Sequence, residues 1–160
     1  MLADLIDAVN WAVEEKVADP ERVAIRGGSY GGYAVLAGLT FEPETFACGV
    51  DFAGPSNLVT FLNTIPPYWA PQIEMFAARV GDHRTDAGRV FLGERSPINF
   101  VDQINRPLLI GQGANDPRVN RAEAEQIVQA MQERGIPVTY VVYPDEGHGF
   151  SSAANARSFN

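Results

Sequence analysis

Three residues of types that together cleave acyl bonds stand along the chain in the order Ser29, Asp116, His148. A serine hydroxyl attacks a carbonyl carbon only when a base takes its proton, and an imidazole base needs a carboxylate to orient it. Glycines surround the serine in Arg26-Gly27-Gly28-Ser29-Tyr30-Gly31-Gly32-Tyr33. These residue types predict nucleophilic acyl transfer, in which Ser29 attacks, His148 is the general base and Asp116 is the orienting acid.

The position of Ser29 between a strand and a helix strengthens this prediction. Residues 22–25 have the composition of a buried strand, and residues 34–39 that of a helix. A Gly-x-Ser-x-Gly pattern in such a place is typical of a nucleophile elbow, a tight turn that lifts the hydroxyl clear of the sheet. The turn brings backbone segments so close together that we expect glycine to be required on both sides of the serine, at Gly27 and Gly31.

The chain holds two histidines, and their surroundings differ. His83 lies in a polar stretch, residues 81–86, which predicts a solvated surface side chain. His148 lies in Asp145-Glu146-Gly147-His148-Gly149-Phe150, directly after a strand-like run at 138–143. Because α/β active sites are built at the carboxyl ends of parallel strands, His148 is the predicted base.

Two carboxylates compete for the place beside the imidazole. Asp116 follows a strand in Gly113-Ala114-Asn115-Asp116-Pro117-Arg118-Val119, where it could also open a turn or cap the helix beginning near Val119. Asp145 is close to His148 in sequence, but from the same short loop it would have difficulty approaching the far imidazole nitrogen. The order serine, aspartate, histidine is that of α/β hydrolases and differs from that of the chymotrypsin and subtilisin folds.

Alternating strands and helices predict the scaffold for these residues. Strands at 22–27, 47–52, 107–111 and 138–143 are separated by helical patterns, which include residues 3–17, 34–40 and 119–134. This alternation indicates an α/β fold, a partial α/β-hydrolase core whose mostly parallel sheet has helices on both faces. Residues 54–104 contain five prolines and are expected to form short helices over the active-site end of the sheet.

The composition excludes several other classes of function. The formal net charge is −8, and no basic stripe is present, which argues against nucleic acid and anionic membranes as partners. No ligand cluster with suitable spacing predicts a metal or an organic cofactor. The single cysteine, Cys48, lies in an apolar run and is expected to be a buried, inert thiol. Neither a membrane span nor a signal peptide is visible, and the sequence selects neither cytoplasm nor periplasm.

The three motifs around Ser29, Asp116 and His148 together resemble the catalytic domain of the prolyl oligopeptidase family of serine peptidases. The resemblance is strongest to its acylaminoacyl-peptidase and dipeptidyl-aminopeptidase-like members, and it runs from about residue 3 to Asn160. It implies a peptidase that forms an acyl-enzyme on Ser29 and uses no cofactor. It also implies that the backbone N–H of Tyr30 is one oxyanion donor.

The same resemblance suggests residues that contact the substrate. Arg118 matches a position that holds a substrate carbonyl, although it could equally be a surface residue in the first turn of a helix. Val119, Tyr68 and Trp69 match walls of the primary specificity pocket, with core packing under a proline-rich segment as the alternative.

Several parts of the family's catalytic domain have no counterpart in this sequence. They include upstream strands and a tyrosine that supplies the second oxyanion donor. The β-propeller that accompanies this domain in the family has no counterpart here either. Residues 1–160 are therefore expected to be one partial α/β-hydrolase domain, a fragment or a shortened relative. Loss of one oxyanion donor costs about 2.7–4 kcal/mol of transition-state stabilisation, so we expect weak turnover.

The missing strands also leave the 22–27 strand open at the edge of the sheet, which favours a homo-oligomer. The expected substrate is a peptide. An esterase for small acyl esters and a catalytically silent assembly module remain the alternatives.

Overall fold

The computed structural model describes residues 2–160, in which helices and strands alternate along the chain. The elements are α1 (Leu2–Glu14), β1 (Ala24–Gly28), α2 (Tyr30–Phe41), β2 (Cys48–Phe52), α3 (Leu58–Asn63), α4 (Ile73–Arg79), α5 (Asp86–Gly93), β3 (Leu108–Gly113), α6 (Ala122–Glu133), β4 (Thr139–Tyr143) and α7 (Ala153–Phe159). Short 3₁₀ helices lie at Pro20–Arg22, Pro67–Gln72 and Pro97–Gln103. No helix within residues 2–160 is both long enough and apolar enough to cross a bilayer.

The four strands form one parallel sheet in the order β1-β2-β3-β4. The register places Gly27 beside Asp51, Phe52 beside Gly111, and Gly113 beside Tyr143. Because all four strands run in one direction, the loops that follow them open at the same edge of the sheet. Ser29, Asp116 and His148 follow β1, β3 and β4 respectively, so the topology brings these three loops to one edge.

Helices cover the two faces of the sheet unequally. On one face α2 lies so close to β2 that a Cβ built on Gly49 would be 2.6 Å from the Leu39 side chain. On the other face α7 places Phe159 against Gly111. The larger core cluster lies between the sheet and the helices of the first face; its fully buried members include Val35, Leu36, Leu39, Ile110, Ile127 and Met131. The predicted α/β fold with a parallel four-stranded sheet is confirmed.

Three helix boundaries differ from the predicted ones by three or four residues. Helix α1 ends at Glu14 because Lys16 takes a positive φ of 59° and the N–H groups of Val17 and Ala18 turn back to the Ala12 carbonyl. Helix α2 begins immediately after Ser29, four residues earlier than expected. Helix α6 begins at Ala122, three residues later than expected.

Helix α7 was not predicted from the sequence. It begins after Ser152, whose hydroxyl accepts the Asn155 N–H. Its last turn is held by aromatic packing, because Phe159 lies 5.6 Å from Phe52 and 5.4 Å from Phe150 between ring centroids. A seven-residue helix that depends on such contacts leaves a weak local signal.

Short helices occupy the long proline-containing connection, as predicted. A second apolar cluster of Leu58, Leu62 and Leu92 packs within it, and Tyr33 of α2 packs against that cluster. The Tyr33 hydroxyl also donates a hydrogen bond to the Arg95 carbonyl at 3.0 Å. The connection is therefore attached to the helix that begins at Ser29.

Two side chains are placed differently from their sequence-based expectations. Cys48 is half-buried, because its register neighbour Ala24 is exposed and this corner of the sheet is only partly covered. His83 is half-buried as well, and its backbone carbonyl accepts a hydrogen bond from Arg89.

Strand β1 is an edge strand with Ala24 and Arg26 exposed, and self-association through this edge stays a prediction.

Candidate active site

Ser29, His148 and Asp116 form a continuous hydrogen-bonded chain at the carboxyl edge of the sheet. His148 Nε2 lies 2.8 Å from Ser29 Oγ, and His148 Nδ1 lies 2.7 Å from Asp116 Oδ2. The Asp116 side chain is fully buried and that of His148 is 13% exposed. With a neutral imidazole, Nδ1–H donates to the carboxylate and the serine hydroxyl donates to Nε2, which is the arrangement needed for proton removal from the hydroxyl.

The backbone holds Ser29 in a strained conformation. Its φ of 58° and ψ of −121° are unusual for a residue with a side chain. The Ser29 N–H donates to the Phe52 carbonyl at 2.8 Å, which attaches the turn to β2. The Ser29 hydroxyl does not cap α2, although the residue stands at its N-cap. The hydroxyl therefore remains available to the imidazole.

Glycine is required around the turn, but only partly at the expected positions. A Cβ on Gly27 would lie 2.3 Å from the Gly31 carbonyl oxygen, so the expectation for Gly27 holds. A Cβ on Gly31 would meet nothing within 4 Å, so the requirement expected there was wrong. The close approach falls instead at Gly32, where a Cβ would lie 2.1 Å from Asp51 Oδ1 and 2.7 Å from the Gly54 Cα.

Tyr30 is the first residue of α2, and its backbone N–H belongs to the group that has no acceptor inside the helix. The first free N–H groups of a helix carry partial positive charge, which favours a negative oxygen nearby. The Tyr30 side chain is exposed and stacks on Tyr33 with a centroid distance of 6.1 Å. The position of the N–H, directly after Ser29, is compatible with the predicted oxyanion contact.

Asp116 both contacts the imidazole and stabilises a turn, the two roles that the sequence predicted as alternatives. Its Oδ1 accepts the N–H groups of Arg118 at 2.8 Å and Val119 at 3.0 Å, which stabilises the turn between β3 and α6. Its Oδ2 faces His148. Burial raises the pKa of Asp116, but the hydrogen bonds from His148, Val119 and Arg118 outweigh it, so the net pKa is lowered. The carboxylate is therefore held in its charged form.

Asp145, the alternative carboxylate, points elsewhere. It is exposed, and its Oδ1 accepts a hydrogen bond from Asn155 Nδ2 at 3.1 Å. The His148 ring is paired with Asp116.

Backbone hydrogen bonds dock the Asp116 loop onto the His148 loop. The Ala114 N–H donates to the Tyr143 carbonyl at 2.9 Å, and the Asn115 N–H donates to the Glu146 carbonyl at 2.9 Å. A Cβ on Gly113 would lie 2.1 Å from the Gly147 carbonyl oxygen, so the two loops touch backbone to backbone. Their separation is thus set by main-chain contacts.

The four residues predicted to contact substrate have different surroundings. Arg118 is exposed, and its guanidinium makes no ion pair with any residue of the described chain. Tyr68 is 57% exposed, whereas Trp69 is half-buried and packs on Phe76 with a centroid distance of 5.8 Å. Val119 is only 2% exposed, so its side chain belongs to the core in this structure and offers almost no surface to a ligand.

Asp51 is a buried acid that was not predicted from the sequence. The available signal was a carboxylate within the apolar run at 47–52. Asp51 is fully buried beneath the first turn of α2, and its Oδ1 accepts the Gly54 N–H at 2.9 Å. Its Oδ2 has no hydrogen-bond partner among residues 2–160. Burial raises the pKa of Asp51 to about 7, although the Gly54 hydrogen bond acts in the opposite direction.

The raised pKa predicts that Asp51 makes the fold less stable as the pH rises. In the unfolded chain the group ionises near pH 4, so between about pH 4 and pH 7 only the folded state keeps the proton. Stability therefore falls as the pH rises through this window and stays lower above it. The expected loss from this group between pH 5 and pH 8 is about 3 kcal/mol.

Asp51→Asn tests this prediction, because asparagine keeps an acceptor for the Gly54 N–H and cannot ionise. The free energy of unfolding, measured in urea at pH 5 and pH 8, should change less in Asp51→Asn than in the wild type. Equal pH dependence in the two proteins would show that Asp51 does not titrate in this window.

No group of three histidine, cysteine, aspartate or glutamate side chains that could hold a metal ion is present in residues 2–160.

The chain matches a family model described as the prolyl oligopeptidase family over residues 1–159. It is 64% identical over 157 residues to dipeptidyl aminopeptidase BIII of Pseudoxanthomonas mexicana, covering 98% of this chain and 23% of that protein. It is 50% identical over 157 residues to dipeptidyl peptidase family member 6 of Caenorhabditis elegans, covering 96% of this chain and 21% of that protein.

A solved structure of a puromycin-hydrolyzing peptidase from Mycobacterium tuberculosis superposes on the chain with a TM-score of 0.86 at 32% identity. That match covers 99% of this chain and 23% of the other. The chain thus spans less than a quarter of the length of these relatives.

Proposed function

The chain belongs to the prolyl oligopeptidase family, and from that membership we propose that it carries the catalytic machinery of a serine peptidase, with Ser29 as nucleophile, His148 as general base and Asp116 as orienting acid. The single observation that carries the proposal is the unbroken chain of contacts from Ser29 Oγ through the imidazole to Asp116 Oδ2, at 2.8 and 2.7 Å.

The proposed reaction is acyl transfer through a covalent intermediate. His148 Nε2 takes the proton of the Ser29 hydroxyl as Oγ attacks the carbonyl carbon of a peptide bond, and Asp116 stabilises the resulting imidazolium. The Tyr30 N–H donates to the developing oxyanion. The imidazolium then gives its proton to the leaving amine, the acyl group stays on Ser29, and a water activated by His148 releases it.

The proposed substrates are peptides, in keeping with the peptidase names of the relatives. Arg118 is the proposed contact for a substrate carbonyl, because its exposed guanidinium makes no ion pair within the described chain. Tyr68 and Trp69 are the proposed apolar wall of the specificity pocket. Val119 is left out of this proposal because its side chain is buried.

A fluorophosphonate probe, which forms a covalent bond with an activated serine, tests the proposal on this chain. We expect one adduct per molecule, located on Ser29 by peptide mass spectrometry, and none on Ser151 or Ser152, the two serines that follow His148 in sequence. Labelling elsewhere, or no labelling of folded protein, would overturn the proposal. Turnover of aminoacyl anilides compared with p-nitrophenyl esters then separates a peptidase from an esterase.

A further inference from the structure

Glu146 is a fully buried carboxylate two residues before His148. Its Oε2 accepts the Ser151 N–H at 2.7 Å and the Ser151 hydroxyl at 2.6 Å. Its Oε1 accepts the Ser152 N–H at 2.9 Å and Asn155 Nδ2 at 2.8 Å. Four donors thus converge on one side chain that the proposed reaction does not use.

These hydrogen bonds join the backbone segments on either side of His148. Glu146 precedes the histidine and Ser151 follows it, so a bond between them spans the segment that carries the imidazole. Asn155 lies in α7, so the same carboxylate attaches the segment to a helix. The backbone carbonyl of Glu146 also accepts the Asn115 N–H, one residue before Asp116. One residue therefore connects the histidine loop, the aspartate loop and α7.

The contacts require the ionised form of the carboxyl group. All four partners donate, and a carboxylate offers only acceptors, whereas a glutamine would turn an NH₂ group towards donors. Hydrogen bonds lower the pKa of Glu146 to about 2. Those from the Ser151 hydroxyl and N–H have the largest effect, and those from Asn155 and Ser152 add to it. Glu146 thus stays charged across the pH range in which an imidazole takes and releases a proton.

We propose that Glu146 is a positioning residue, whose bonds to Ser151, Ser152 and Asn155 hold the His148 imidazole in line with both Ser29 and Asp116. This inference rests on the function proposed above. Glu146 lies out of the reaction path and acts through the histidine. Displacement of a reacting group by about 1 Å is enough to cost roughly 10²-fold in rate.

Glu123 provides a matched control for the loss of a buried carboxylate. It is 2% exposed and accepts the N–H groups of Ser56 at 3.1 Å and Asn57 at 2.9 Å, together with Gln126 Nε2 at 2.9 Å. Its hydrogen bonds connect α6 to the segment after β2, away from the His148 loop. Glu123→Gln should therefore destabilise the fold in a similar way without moving the imidazole.

The experiment measures the rate of fluorophosphonate labelling from pH 5 to pH 9 in the wild type, Glu146→Gln, Glu123→Gln and His148→Ala, with thermal melts to establish the folded fraction. We expect Glu146→Gln to label about 10²-fold more slowly, with a flattened pH profile, since the rate no longer follows imidazole ionisation. Glu123→Gln should keep the wild-type profile shape and stay within about threefold of its rate, because a smaller folded fraction only scales the curve.

A Glu146→Gln profile with the wild-type shape, scaled like that of Glu123→Gln, would reduce Glu146 to a structural role and overturn the inference. If Glu146→Gln does not fold, Ser151→Ala serves instead, because it removes one of the four donors to Glu146. This variant should also label more slowly and with a flatter pH profile. An unchanged pH profile in Ser151→Ala would overturn the inference. Failure of the proposed function looks different, because His148→Ala would then label as fast as the wild type.

Discussion

Replacing His148 by alanine is expected to lower the rate of acylation of Ser29 by about 10⁶-fold, the loss typical of removing the base from a serine triad. The reason is the 2.8 Å contact between His148 Nε2 and Ser29 Oγ, which offers the hydroxyl its only proton acceptor of suitable basicity in the described site. Without the imidazole the serine remains a neutral, weak nucleophile. Pre-steady-state release of p-nitrophenol from an activated ester measures the acylation step directly.

The matched control is His83→Ala, which removes the other histidine of the chain. Its half-buried side chain lies in the connection before α5, so the acylation rate should stay within a few-fold of the wild type. Retention of most of the rate in a folded His148→Ala protein would mean that another group takes the proton, and the assigned role would be wrong.

Replacing Asp116 by asparagine is expected to lower the same rate by about 10⁴-fold while leaving the fold intact. Asparagine can keep its oxygen at the Oδ1 position, where it accepts the Arg118 and Val119 N–H groups, so the turn before α6 survives. Its NH₂ group then takes the place of Oδ2 and donates to His148 Nδ1. The imidazole is forced into the tautomer with Nε2–H facing Ser29, which cannot accept the hydroxyl proton.

Asp145→Asn is the control for this substitution, because it makes the same chemical change in the neighbouring loop. Asp145 contacts Asn155 and not the imidazole, so we expect an acylation rate within a few-fold of the wild type. A large loss in Asp145→Asn together with a small one in Asp116→Asn would assign the orienting role to the other carboxylate.

The glycine-rich turn and the strand-end loops were predictable because their signals are local. A serine among glycines between a strand and a helix has few alternatives, and the strand patterns around β1, β3 and β4 indicate which residues follow each strand. A parallel sheet then brings those loops to one edge. The catalytic roles of Ser29, Asp116 and His148 themselves stay predictions until the experiments above are done.

Other features depended on contacts between distant segments and could not be predicted. Glycine is required at Gly32 rather than Gly31 because Asp51 and Gly54 of another strand end approach it. Helix α6 begins only at Ala122, after a turn in which the Asp116 side chain accepts the Arg118 and Val119 N–H groups. Val119 was predicted as a pocket wall from the family resemblance, yet its side chain is buried in this structure.

Three features were determined by the sequence alone: the order of the chemical groups along the chain, the α/β class and the glycine turn at Ser29. These features can be recognised in short stretches of residues, because periodicity and turn preference depend on near neighbours. The contact between Ser29 and His148 joins residues 119 positions apart. That contact, the burial of Asp51 and the four donors around Glu146 exist only after the sheet has assembled, since side-chain distances and local polarity are properties of packed segments.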